Sequence, residues 1–148
     1  MKDISEFEKE IGLEFDNKSL LETAFTHRSY LNEAKDAKNK LEHNERIEFL
    51  GDAVLELSAT DFLFRKFKDE KEGVLTSYRS AIVNTDILAR VGEDLDFSSY
   101  LKMSKGEMKD THKGRHHILA NTFEAVVGAI YLDNLPSGAS VSKFWSDI

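Results

Sequence analysis

Residues 118–132, ILANTFEAVVGAIYL, constrain this chain more than any other stretch. Wound as a helix at 3.6 residues per turn, they carry apolar side chains around most of the circumference. Their only strongly polar members are Asn121, Thr122 and Glu124. A helix that is apolar all round belongs in an interior, so other helices must enclose it. A lone carboxylate in such a place is costly unless something compensates its charge. Asn121 and Glu124 lie three residues apart on one face, and Gly128 follows on that face with Ala125 and Ala129 beside it. Small residues beside a polar pair let a second helix approach closely.

The rest of the chain also reads as helix. Ile4, Phe7 and Ile11 predict a helix over 4–11, closed by Gly12. Asn17 caps a helix over 18–25, with Leu20, Leu21 and Ala24 facing inward. Residues 32–44 are polar and mixed in sign, which predicts a solvated loop or a frayed helix. A long helix follows over 45–67, and Gly73 separates it from another over 74–91. Residues 106–114 lack a period and read as a loop. After 118–132, Pro136 marks a turn over 134–138, and Val141, Phe144 and Trp145 predict a last amphipathic helix. No strand alternation, repeat or low-complexity tract appears. The expectation is one all-α domain over 1–148.

On the long helix, set Glu45 at 0°. Glu48 then falls at about 300°, Asp52 at about 340° and Glu56 at about 20°. Ile47, Leu50, Val54 and Leu57 form the main apolar stripe on the far side, while Phe49 and Leu55 flank the acids. Like charges at this spacing repel. If the two polar faces meet, Glu48, Asp52, Asn121 and Glu124 surround a hard divalent cation with oxygen ligands. Such a set suits Mg²⁺ or Mn²⁺ and not zinc. The competing reading pairs Glu48, Asp52 and Glu124 with Arg46, Arg79 or Arg90 and leaves Glu45 and Glu56 in solvent.

Composition narrows the partners. The chain has no cysteine, which excludes disulfides, thiolate metal sites and cysteine nucleophiles. Its 27 acids against 20 bases give a net charge of −7, whereas a generic nucleic-acid binder is basic. Bound cations or a local basic strip would have to offset that acidity. The most basic stretch is 102–117, where Lys102, Lys105, Lys109, Lys113 and Arg115 face two acids, a net of +3. It is a candidate phosphate contact, or else an ordinary solvated loop. His112, His116 and His117 in that stretch match no common zinc spacing. No run approaches the length of a membrane span and the N-terminus lacks an apolar leader, so a cytoplasmic location is expected.

Residues 44–55, NERIEFLGDAVL, resemble the signature of bacterial ribonuclease III. LLETAFTHRSY (20–30), EGVLTSYRSAIVN (72–84), KGE (105–107), GR (114–115) and ILANTFEAVVGAIYLD (118–133) resemble further segments of that family in the same order. The resemblance fades after Asp133. It implies a compact helical endonuclease domain, homodimeric, that cuts double-stranded RNA in ribosomal and messenger RNA processing. The reaction implied is metal-dependent hydrolysis to 5′-phosphate and 3′-hydroxyl ends. Carried over to this sequence, it implies Asp52 and Glu124 as catalytic groups and Glu48, Asp52 and Glu124 as metal ligands. Glu45 and Glu72 become supporting acids, and Phe49 an aromatic that inserts into the partner subunit. Asn121 departs from the family pattern, where an Asp is usual. An amide oxygen can ligate but supplies no charge, so a raised metal requirement is expected. The alternative is a non-cleaving duplex-RNA-binding or dimerisation module with a decayed site at Asn121. Nothing resembling the family's separate RNA-binding domain follows the matched segments.

Overall fold

In the computed structural model, residues 2–33, 42–107 and 112–134 are described, and they form eight helices. Asp3 caps α1 (Ile4–Ile11) by accepting the Ser5 N–H, and Gly12 ends it at φ +69°, a left-handed turn that suits glycine. Asn17 caps α2 (Lys18–Ala24), and the short α3 (Arg28–Glu33) follows. The long acidic helix is α4 (Glu45–Lys66). After it come α5 (Glu72–Ile82), α6 (Thr85–Asp94), the single-turn α7 (Phe97–Tyr100) and the long apolar α8 (His112–Asn134). No strand forms among the described residues; a single parallel bridge joins Thr26 to Lys102. The all-α expectation holds.

Several boundaries differ from those read in the sequence. Residues 74–91 are two helices, because Asn84 interrupts the run and turns its side chain to accept the Ile87 N–H at 3.1 Å. Gly73 does not separate α4 from α5; it lies inside the first turn of α5. Residues 112–114, the end of the loop expected over 106–114, together with 115–117 are the opening turns of α8, whose polar start carries no apolar period to reveal it. Residues 32–33 belong to α3. The remaining loop residues 34–41, the turn at 134–138 beyond Asn134, and the final helix with Val141, Phe144 and Trp145 lie outside the described residues.

Helix α8 is the centre, with α2, α4 and α6 packed around it, while α5 leans on α4 and buries none of its residues. Leu119, Ala120, Ala125, Val126, Val127, Ala129 and Ile130 of α8 are all buried. At one end an aromatic cluster closes the core: Phe7 meets Phe25 edge-on at 5.1 Å and Phe97 at 5.5 Å between ring centres. Glu8 is buried beside it. Burial pushes its pKa up, but the Lys18 ammonium at 2.8 Å and the Phe15 N–H outweigh that and hold the carboxyl below its ordinary range. At the other end of α8, Asp133 accepts the N–H groups of Asp16 and Asn17 at 2.9 and 2.8 Å, which fastens the start of α2.

The α4–α8 crossing positions the site. A Cβ added to Gly51 would lie 1.8 Å from the Glu124 carbonyl oxygen, and one added to Gly128 would lie 2.5 Å from that of Ile47. The two backbones therefore touch, and only glycine fits at either point.

Candidate active site

The crossing brings α4 and α8 together where each carries its acids. Glu48 and Asp52 lie about one turn apart on α4, and Gly51, between them, sits directly against the backbone of Glu124. Glu48 and Glu124 are half-buried, and Asp52 is exposed at the rim. Burial raises the Glu124 pKa to about 7, with the negative charges of Asp52 and then Glu48 adding to the shift. Burial also raises Glu48, followed by the charges of Glu45 and Asp52. The structure thus gathers Glu48, Asp52 and Glu124, with Glu45 at the edge.

The arginine reading fails for these three. Among the described residues no ion pair reaches Glu48, Asp52 or Glu124. Arg79 is engaged by Glu56 at 3.1 Å and donates to the Thr60 hydroxyl. Glu45 does have a partner, Arg28 of α3, at 3.2 Å, with His43 at 3.8 Å. The sequence reading missed Arg28; the only signal was its place in the HRSY segment. Glu72 stands apart from the other acids. It opens α5, accepts from the Thr76 hydroxyl and lines a cleft of about 410 Å³ between α4 and α5, together with Thr60, Leu63, Phe64 and Arg79. Phe49 is 82% exposed.

Asn121 is exposed one turn ahead of Glu124. Among the described residues, no group of three or more His, Asp or Glu side chains converges closely enough to hold a metal ion as the side chains stand. The charges of Asp52 and Glu48 are near enough to add to the rise at Glu124, without the carboxylates meeting at one point. The donor set fits a hard cation all the same. It offers oxygen ligands only, has no ion-pairing cation among the described residues, and holds crowded negative charge in partial burial. Asp52 and Asn121, being exposed, are free to change rotamer.

The basic stretch is dispersed. Lys102 is half-buried and bridged through its backbone to Thr26; Lys105 and Arg115 are exposed. Lys113 lies in the first turn of α8, and Lys109 is outside the described residues. His116 contacts Asp86 of α6 at 3.0 Å. Among the described residues, no helix is long and apolar enough to cross a membrane.

Comparison with known proteins gives concordant results. A family model described as Ribonuclease-III-like matches residues 17–144. Ribonuclease 3 of Clostridium perfringens is 48% identical over 135 residues, covering 90% of this chain and 55% of that protein. Ribonuclease 3 of Oceanobacillus iheyensis is 47% identical over 131 residues, 88% of this chain and 57% of that protein. The chain therefore spans a little over half the length of these curated relatives. A solved nuclease domain of ribonuclease III from Campylobacter jejuni, described for structural flexibility in its region involved in dimer formation, superimposes with a TM-score of 0.78. It is 37% identical, and the match covers 89% of this chain and 87% of that one.

Proposed function

Because the chain belongs to the ribonuclease III family, we propose that it is an endoribonuclease that hydrolyses phosphodiester bonds of double-stranded RNA, with a divalent cation as cofactor and a homodimer as the working form. Its products are 5′-phosphate and 3′-hydroxyl ends, and its place is the processing of ribosomal and messenger RNA in the cytoplasm.

One observation carries this reading: the Glu124 carboxyl, raised to about 7, beside Glu48 and Asp52 at a glycine-to-glycine crossing. Acids held together at the expense of their own ionisation are what a cation-dependent site requires before the cation arrives. Glu124 is the principal ligand, fixed on the most buried helix. Glu48 and Asp52 hold the ion from α4, and Asn121 contributes an amide oxygen. When bound, Mg²⁺ or Mn²⁺ supplies Lewis-acid chemistry that acidifies water and stabilises charge on the phosphate. The chain's own part is to fix these oxygens, with Arg28 steadying Glu45 at the rim. Lys102, Lys105, Lys109, Lys113 and Arg115 contribute phosphate contacts, and Glu72 and Phe49 serve the dimer.

The test is direct. Long duplex RNA incubated with the protein and Mg²⁺ should yield short fragments, and EDTA should abolish them. A duplex retarded in a gel yet left intact under both conditions would replace this reading with the non-cleaving module, which the amide at Asn121 favours.

A further inference from the structure

Residues 26–29, THRS, join two parts of the fold that lie far apart in sequence. On one side, the Thr26 carbonyl accepts the Asn44 N–H at 2.9 Å, which holds the residue just before α4. Arg28 reaches Glu45, in the first turn of α4, at 3.2 Å. On the other side, the His27 N–H donates to the Lys102 carbonyl at 2.9 Å. The Ser104 N–H donates to the Ser29 hydroxyl oxygen at 3.0 Å, and the Ser104 hydroxyl oxygen accepts the Glu107 N–H at 3.2 Å. Segment 102–107 is thus pinned beside the start of α4, and the Ser29 side chain is the pin.

These bonds fix where the protons sit. The Ser29 N–H points at His27 Nδ1 at 3.3 Å. A backbone N–H can only donate, so Nδ1 offers its lone pair and the ring proton is on Nε2. Ser29 Oγ lies 2.8 Å from the same Nδ1, so the hydroxyl gives its one proton there and keeps its lone pairs for Ser104. A second ring proton would land on Nδ1. It would set donor against donor at the Ser29 N–H and force the hydroxyl to turn its own proton away. Ser29 is buried, which makes a lost partner costly. Four charged or titratable groups face the ring: Arg28 of α3, His43 before α4, Glu45 of α4 and Glu107 of the pinned segment. Burial pushes the imidazole below its ordinary 6.5; Glu107 opposes that, Arg28 adds to it, Glu45 opposes it and His43 adds to it. The ring is therefore neutral at pH 7 and charges only in acid.

We infer that His27 and Ser29 form a proton-sensitive latch, closed while Nδ1 accepts and opened when Nδ1 is protonated, and that this latch sets where segment 102–107 lies against the start of the acid-bearing helix. Both are positioning residues: they act through the segment they hold and not on reacting atoms. The latch stands on the contacts above, while its effect on cutting rests on the proposed function.

The readouts are local, because Glu124 moves global stability with pH in the opposite sense. Imidazole nitrogen resonances of the wild type at pH 8 should show His27 neutral with its proton on Nε2. Amide exchange protection at Ser29 and Ser104 should then fall about tenfold between pH 8 and pH 5, the loss of one hydrogen bond's worth of local stability. Ser29→Ala should lack the Ser104 protection at both pH values. His27→Asn places an amide oxygen two bonds from Cβ, where Nδ1 stands, and cannot titrate there, so it should keep the protection at both. Duplex RNA cleavage in saturating Mg²⁺ should drop several-fold less from pH 8 to pH 5 in His27→Asn than in the wild type. A wild-type His27 with its proton on Nδ1 at pH 8 overturns the latch, and so does equal Ser104 protection at pH 8 and pH 5. Both are read on the wild type and do not depend on any variant folding. An identical pH dependence of cleavage in the wild type and His27→Asn overturns the latch's part in cutting. Absence of cutting at either pH overturns the proposed function instead, and the wild-type resonances and protection still decide the latch.

Discussion

Glu124 is the residue on which folding and the proposed function make opposite demands. Its carboxyl ordinarily titrates near 4.5, and in the fold it titrates at about 7, because burial and then Asp52 and Glu48 disfavour its charge. Between those two values the folded chain holds a proton that the unfolded chain has released. Stability without cation therefore falls as pH rises through that window, and above it the penalty stays constant. Glu48, raised in the same direction, adds to the slope. In EDTA the melting temperature should be higher at pH 5 than at pH 8, and Mg²⁺ should narrow the gap. Glu124→Gln should flatten the profile and raise the pH 8 value, while cutting falls on the order of a thousandfold if the ligand supplies several kcal/mol to the transition state. A pH profile unchanged by Glu124→Gln would mean that some other group titrates. Asn121 poses the converse case. Replacing its amide by a carboxylate adds one negative charge on the same face of α8, so Asn121→Asp should lower the Mg²⁺ concentration for half-maximal cutting. An unaltered Mg²⁺ titration would remove position 121 from the cation's surroundings.

At the level of elements, two glycines that look alike in sequence have opposite meanings. Gly51 has the Glu124 carbonyl where its Cβ would be, whereas Gly73, in the first turn of α5, has nothing within 4 Å of that position. Gly51→Ala must push α4 off α8, so it should cost about 3 kcal/mol or more and displace Glu48 and Asp52 from Glu124. Gly73→Ala should be neutral or stabilise by about 0.5–1 kcal/mol, because alanine favours helix and restricts the unfolded chain. Urea melts of both variants check the contrast; equal losses would mean that the crossing is looser than the backbone contact requires. The same contrast shows what a sequence reading can reach. The small-residue face of 118–132 was legible, since Gly128 beside Asn121 and Glu124 asks for a close neighbour, and α4 is that neighbour. The limits of α4 were legible from its length and period. Gly73 misled because glycine breaks helices on average yet is tolerated in a first turn. Asn84 is silent in the sequence because the apolar spacing runs through it, and only its cap to Ile87 shows the break. Helices α3 and α7 are too short for any period to register, and the polar opening of α8 has none.

For the molecule as a whole, the unsolved surface is the outer side of α4 and α5. Phe49 is 82% exposed, Phe64 69% and Leu57 51%, and Tyr78 and Ile82 of α5 add 38% and 44%. Continuing the wheel from Glu45, Phe49, Ala53, Thr60, Phe64 and Leu57 occupy an arc of about 80°, immediately beside the arc of Glu48, Asp52 and Glu56. An apolar strip running about 22 Å along one helix is too long to be incidental exposure on a monomer. Because the strip borders the acids, a second copy covering it would set one acid site on each side of the shared interface. Under the proposed function both would face a common duplex, and one dimer would cut two strands at one locus. Phe49→Asp puts a charge at the acid-bordering end of that strip while removing nothing from the core. Sedimentation should show a dimer for the wild type and a monomer for Phe49→Asp. The monomer's intrinsic stability should stay within about 0.5 kcal/mol of the undissociated fold, since the side chain is solvated in a single chain. Cleavage should fall because the two sites no longer share a substrate, and residual cutting should nick one strand instead of severing both. A wild type that sediments as a monomer at micromolar concentration, with full double-strand cutting, would show that the strip serves some other contact and that one chain suffices for the reaction.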